Sequence, residues 1–256
     1  MKQLLVITVI WGLALVLPLG SGLQAAELQA AELKVLAGGS MTAVLNELAP
    51  PFERASGHKL VIHFDSTPNL IKLATSGDSF DLGVVPIDVF KDAAAKARFV
   101  LPTINIARVG YGVAVRAGAP KPDVSTPDAL KKTLLGAQSI AYLPTSAAGA
   151  YVTSVFERLG IGEAMKAKTK PQTTTGQIAQ AVAKGDAELG VFLVNVLMAP
   201  GVELAGSFPA ELQQELVFTA AIAADSKQAD AAKAFIDYLT SPAATAVIKN
   251  MGLSPG

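Results

Sequence analysis

An α/β fold of two lobes, each a mainly parallel sheet flanked by helices with a ligand cleft between them, is what the sequence predicts. Apolar runs of strand length alternate with segments of helical period. The alternation falls into two sets, each too small to hold the whole core, and a glycine-rich strand with a proline-rich loop separates them. The chain has 256 residues, 51% hydrophobic and 16% charged, which is enough for a well-buried core and excludes disorder.

The N-terminal MKQLLVITVIWGLALVLPLG has one positive charge at Lys2, an apolar run from Leu4 to Val16 and a break at Pro18. This is the pattern of a secretory signal, expected over 1–26 with cleavage near Ala26; the run falls short of the roughly 18 to 20 apolar residues of a membrane span. The repeated QAAELQAAEL from Gln24 to Leu33 offers no clean small-x-small site. With no cysteine for a disulfide or a lipid anchor, the exported chain is expected free in the periplasm.

Beyond the signal, Glu32 to Ala37 is the first strand, and Met41, Leu45, Leu48 and Phe52 then share one helical face. Pro50-Pro51 is expected to stop or kink that helix. Lys59 to Phe64 alternates as a strand; Thr67 is the expected N-cap of the next helix, Pro68 suits its first turn, and Gly77 ends it. Asp81 to Pro86 is the third strand.

A glycine-rich strand from about Val109 to Arg116 opens the second set, followed by a loop in which Ser125 or Thr126 caps a helix at Pro127. Ser139 to Pro144 is a strand, and the next helix carries Tyr151, Val155 and Leu159 in register and ends at Gly160. A helix with Ile178 and Val182 inward precedes a strand from Ala187 to Val194. LVFTAAIAAD is the last strand, before a terminal pair of helices. Lobe 1 is thus expected over 27–108 and 217–256 and lobe 2 over 109–216, with crossovers near Arg108 to Val113 and Val217 to Ala223.

Lys+Arg and Asp+Glu are both 21, so the overall field favours neither nucleic acid nor an anionic membrane, and a bound anion has to be held by local geometry. The chain lacks a Walker loop, GxGxxG after a strand, GxSxG and HExxH. Its histidines, His58 and His63, are five apart and point to opposite faces, so they do not share a metal; a surface role is expected for His58 and a packing role for His63. No cofactor is expected.

What recurs is a strand end, a hydroxyl-rich turn and a helix start: Gly38 to Ser40, Asp65 to Pro68, Pro144 to Gly149 and Gln172 to Gly176. Such turns at the carboxyl ends of parallel strands offer free N–H groups and a helix dipole that attracts anions. Two in each lobe would meet at one cleft, and neutral donors there suit a small oxyanion. The alternative for each turn alone is a plain helix cap.

The stretches VLAGGSMTAVLNELAPPFERASG, FDSTPNLIKLATSG, SAAGAYVTSVFERLG and VAKGDAELGVF, in this order from about Glu32 onward, resemble the periplasmic molybdate-binding proteins among the type 2 solute-binding proteins of ABC importers. The resemblance implies a monomer that delivers a small anionic ligand to a membrane permease, without catalysis. Carried across, the oxyanion contacts fall on Ser40 beside Gly39, on Ser66 with Thr67, and on the backbones of Ala148 and Thr175. The family's tyrosine position is Leu193 here, and Asn195 or Tyr151 is the candidate replacement. Asp65 beside Ser66 and Arg108 depart from the family pattern; a surface acid and a hinge salt bridge are their expected roles, and an Arg108 that pointed inward to pair with a carboxylate would suit a small organic acid instead. Relatives of the fold include an aconitate isomerase, so an isomerase of an unsaturated tricarboxylate, using Asp65 or Tyr151, is the alternative function.

Overall fold

A computed structural model of the chain describes residues 30–256, and the expected signal segment at 1–26 lies outside them. Eleven strands among the described residues form two sheets. The first contains β1 (Glu32–Gly38), β2 (Lys59–Asp65), β3 (Leu82–Pro86), β4 (Ile104–Val109), β10 (Leu216–Ile222) and β11 (Ser254–Pro255), in the order β11-β4-β10-β3-β1-β2. The second contains β5 (Tyr111–Arg116), β6 (Ile140–Tyr142), β7 (Thr169–Pro171), β8 (Leu189–Leu193) and β9 (Val202–Ser207), in the order β7-β6-β8-β5-β9.

Each sheet has a parallel part, β2-β1-β3 and β7-β6-β8, to which the remaining strands add antiparallel. The parallel strands are joined through helices, as a right-handed crossover requires. The expected strand from Val109 divides at Gly110: Val109 ends β4 in the first sheet and Tyr111 begins β5 in the second.

The Thr42–Ser56 helix runs through Pro50 and Pro51, contrary to the expected stop, and ends at Gly57 in the left-handed conformation. Both prolines lie on the exposed face, where water can serve the two carbonyls that lost their N–H partners. On the other face Met41, Leu45, Leu48 and Phe52 are buried, and the Phe52 ring packs 4.8 Å from that of Phe235. Tertiary packing therefore outweighs the roughly 3 kcal/mol penalty of a proline inside a helix.

The two histidines are placed opposite to expectation. His58 is buried, with its ring against Phe52 and its Nδ1 accepting from the Ala31 N–H at 3.2 Å. His63 is exposed, because β2 buries its other face through Leu60, Ile62 and Phe64. One large buried cluster runs from Leu33 and Val84 through Val109, Tyr111 and Val113 to Val191 and Phe192; a smaller one, including Leu70, Phe80 and Phe99, covers the other face of the first sheet. No helix among the described residues is long and apolar enough to cross a membrane.

Candidate functional site

Strand register brings the four hydroxyl-rich turns together in pairs. Gly38 lies opposite Asp65 at the carboxyl ends of parallel β1 and β2, so Gly39-Ser40 and Ser66-Thr67 emerge side by side. Tyr142 likewise lies opposite Pro171 in parallel β6 and β7, followed by Ser146 to Ala148 and Thr173 to Thr175. The two pairs face each other across a cavity of about 500 Å³ between the sheets. Gly39, Ser40, Ser66, Thr67, Ala148, Thr175 and Asn195 all line it.

Each turn leaves donors available in its own way. Ser40 lies in a 3-10 turn (Gly39–Met41) capped by Gly38 without any side-chain bond, so its hydroxyl is not a helix cap. At the second turn Ser66, not the expected Thr67, is the N-cap; Thr67 is the first helical residue and is buried. The Ser66 hydroxyl makes no cap bond, and Asp65 Oδ1 accepts from the Ser66 N–H at 2.7 Å. At the third turn Ser146 Oγ accepts from the Gly149 N–H and donates to Leu143 O, both at 2.9 Å, and Ser146 and Ala148 both line the cavity. At the fourth, Gln177 Oε1 accepts from the N–H groups of Thr173 and Thr174, and Thr175 begins the helix. Each helix that follows a turn directs the positive end of its dipole to the cavity.

The glycines of the first turn differ in the space around them. A Cβ on Gly38 would lie 2.9 Å from the Phe218 ring, and Gly39 packs against Thr175 of the opposite wall. Gly149 is the strictest position, since a Cβ there would sit 1.7 Å from Leu143 O.

Among the described residues Asp65 is the sole charged side chain in the cavity wall. Burial pushes its carboxyl up, but hydrogen bonds from Asn69 and the Ser66 N–H, with His63 3.5 Å away, outweigh this and hold it below the usual range. The remainder of the wall is largely apolar and includes Phe64, Phe192, Phe218, Leu216 and Met198, which the turn pattern did not indicate. Phe64 and Phe192 belonged to predicted strands whose end at the cleft could have signalled them.

A sequence profile described as bacterial extracellular solute-binding protein matches residues 33–254. The chain belongs to that family. It is 34% identical over 242 residues to the aconitate isomerase of a Pseudomonas species, covering 87% of both chains. It is also 33% identical over 244 residues to the molybdate-binding protein ModA of Azotobacter vinelandii, covering 93% of this chain and 96% of the relative. The solved periplasmic molybdate-binding protein of Azotobacter vinelandii superposes with a TM-score of 0.73 over 88% of this chain and 99% of its own; at 23% identity that likeness is one of fold.

In this solute-binding protein three of the expected site residues stand away from the cavity wall. Arg108 turns to Glu215 at 3.8 Å on the neighbouring β10 side, as a pair between the crossover segments. The Tyr151 ring packs at a tilt 4.7 Å from that of Tyr111 and its hydroxyl donates to Leu212 O at 2.9 Å, so it does not stand in for the family tyrosine. Leu193 is fully buried, paired with Tyr111 across β8 and β5. Asn195 does reach the cavity, but its Nδ2 is committed to Ser40 O at 2.6 Å.

Proposed function

We propose that this solute-binding protein works in the periplasm as the binding subunit of an ABC importer, closing on a small oxyanion of the molybdate or tungstate type and handing it to a membrane permease without a chemical step. The convergence of Ser40, Ser66, Ala148 and Thr175 on one cavity carries this reading. Hydroxyl and amide donors can match the lone pairs of an oxyanion from several directions, and no lysine or arginine has to be desolvated beside it. The relative named ModA supports the same choice.

A second reading, a small organic acid as ligand or substrate, is favoured by the cavity itself. At about 500 Å³, with an apolar side formed by Phe64, Phe192 and Phe218, it has room for a carbon skeleton, and one relative is named aconitate isomerase. Catalysis would need a base poised to accept a proton. Asp65 is a poor one, being held ionised by the donors around it.

Thermal-shift and calorimetric titration with molybdate, tungstate, sulfate, citrate and both aconitate isomers decides between them. A ligand at a hundred times its Kd stabilises the folded form by about 2.7 kcal/mol. Stabilisation by molybdate or tungstate is the expected result; stabilisation by carboxylates alone overturns the oxyanion, and interconversion of the aconitate isomers overturns the non-enzymatic reading.

A further inference from the structure

Two side-chain hydrogen bonds cross the cleft among the described residues, and both end on the same turn. Thr175 Oγ1 donates to Gly39 O at 3.1 Å, and Asn195 Nδ2 donates to Ser40 O at 2.6 Å. The donors belong to elements that follow β7 and β8 of the second sheet, while the acceptors belong to the turn after β1 of the first. Because peptide units are planar, holding these two carbonyls also sets the direction of the Ser40 and Met41 N–H groups. The Thr42 hydroxyl steadies Gly39 O from within its own turn, at 2.7 Å.

We infer that Thr175 and Asn195 form a latch that shuts the cleft through protein atoms alone, so that the closed state is populated before any solute arrives. The orientation of the Asn195 amide follows from its partner: a carbonyl oxygen at 2.6 Å has to meet the donor end of the side chain. That choice leaves Asn195 Oδ1 buried and without a donor among the described residues. A buried acceptor with no partner is penalised when the cleft shuts and relieved when water returns. The same side chain therefore both favours and opposes closure, which keeps the equilibrium reversible. The Thr175 and Asn195 side chains are positioning groups in this scheme: they act on Gly39 and Ser40, while the solute contact proposed for Thr175 belongs to its backbone.

Apparent affinity scales with the fraction of protein in the competent state, so a broken latch weakens binding of every ligand by one common factor. The latch is independent of which solute the cavity takes, and its test is made without one. The chain has no cysteine, so Ser79→Cys and Lys132→Cys, at exposed positions flanking the two sheets, allow specific dye labelling. Single-molecule energy transfer on the ligand-free protein is expected to show a closed population. Thr175→Val, which removes the hydroxyl at nearly constant shape, should lower the closed-to-open ratio about fivefold, and Asn195→Asp, which sets a carboxylate against a carbonyl, by more. Thr175→Ser, which keeps the donor, should restore it. A ligand-free protein that is entirely open, or a Thr175→Val variant as closed as the parent, overturns the latch. Failure of molybdate to bind would leave this measurement untouched.

Discussion

Gln213 grips Tyr111 by both ends of its peptide: the Tyr111 N–H donates to Gln213 Oε1 at 2.7 Å, and Gln213 Nε2 donates to Tyr111 O at 2.9 Å. Tyr111 is the first residue of β5 after the chain leaves the first sheet, and Gln213 lies on the segment that returns to it. A Cβ on the intervening Gly110 would sit 3.0 Å from the Gln213 amide. Gly110→Ala should therefore displace the amide and lower stability by about 1 to 3 kcal/mol, with Gln213→Leu giving a similar loss. Urea denaturation checks both, and an unchanged midpoint for either would show that the paired bonds contribute nothing net.

Ser40→Ala separates a binding hydroxyl from a capping one. The side chain makes no cap bond, so stability should change by less than about 0.5 kcal/mol while affinity falls roughly tenfold. Calorimetric titration beside urea denaturation reads the two effects. Loss of about 1 kcal/mol of stability at constant affinity would return Ser40 to the role of a cap.

Two glycines of the cavity wall and its edge should respond differently to alanine. At Gly149 a methyl would strike Leu143 O, so the variant should lose several kcal/mol, on the order of the largest single-site effects, or fail to accumulate folded. Gly39 meets nothing nearer than 3.5 Å, so its alanine variant should fold normally. Circular dichroism and thermal melts of the pair test this contrast.

Pro50→Ala and Pro51→Ala should each raise stability, by about 1 to 2 kcal/mol, because each restores an N–H inside the Thr42–Ser56 helix at an exposed site. The gain is smaller than the full proline penalty because proline also restricts the unfolded chain. Denaturant midpoints that fall would mean that the two rings support the packing of the helix against its neighbours.

Asp65 gives an acid limb to the stability curve. Its carboxyl is depressed in the folded protein, so its contribution is complete above the ordinary aspartate value and is lost as pH drops through the lower folded value. Asp65→Asn should lower the urea midpoint near neutrality, where the carboxylate contributes in full, and flatten its fall below about pH 4, so that variant and parent converge in acid. An identical acid limb in the variant would assign that slope to other carboxylates.

The long elements were legible because their period matches their burial: Met41, Leu45, Leu48 and Phe52 all face the core, and β3 is buried throughout. The hydroxyl-rich turns were legible because strand ends and helix starts have strong local chemistry, and four of them meet at the cavity. Local chemistry did not reveal β7, only three residues long, or β9, whose VELAGS is half-buried at a sheet edge. The positions of His58 and His63 were inverted because the face that β2 buries depends on the neighbouring helix, which no alternation within the strand specifies. The roles of Tyr151, Gln213 and Asn195 depend on partners 61, 102 and 155 residues away, beyond the reach of any local pattern.

The large buried cluster passes without interruption from Leu33 in β1 through Val109 and Tyr111 into Val191 in β8. The interior is thus not divided between the two sheets. Neither half owns a complete core, so a fragment cut at Gly110 would expose apolar surface that belongs to the junction. Calorimetry of the intact chain should accordingly register a single cooperative melt, and a gene split at that point should yield partners that fold only in each other's presence.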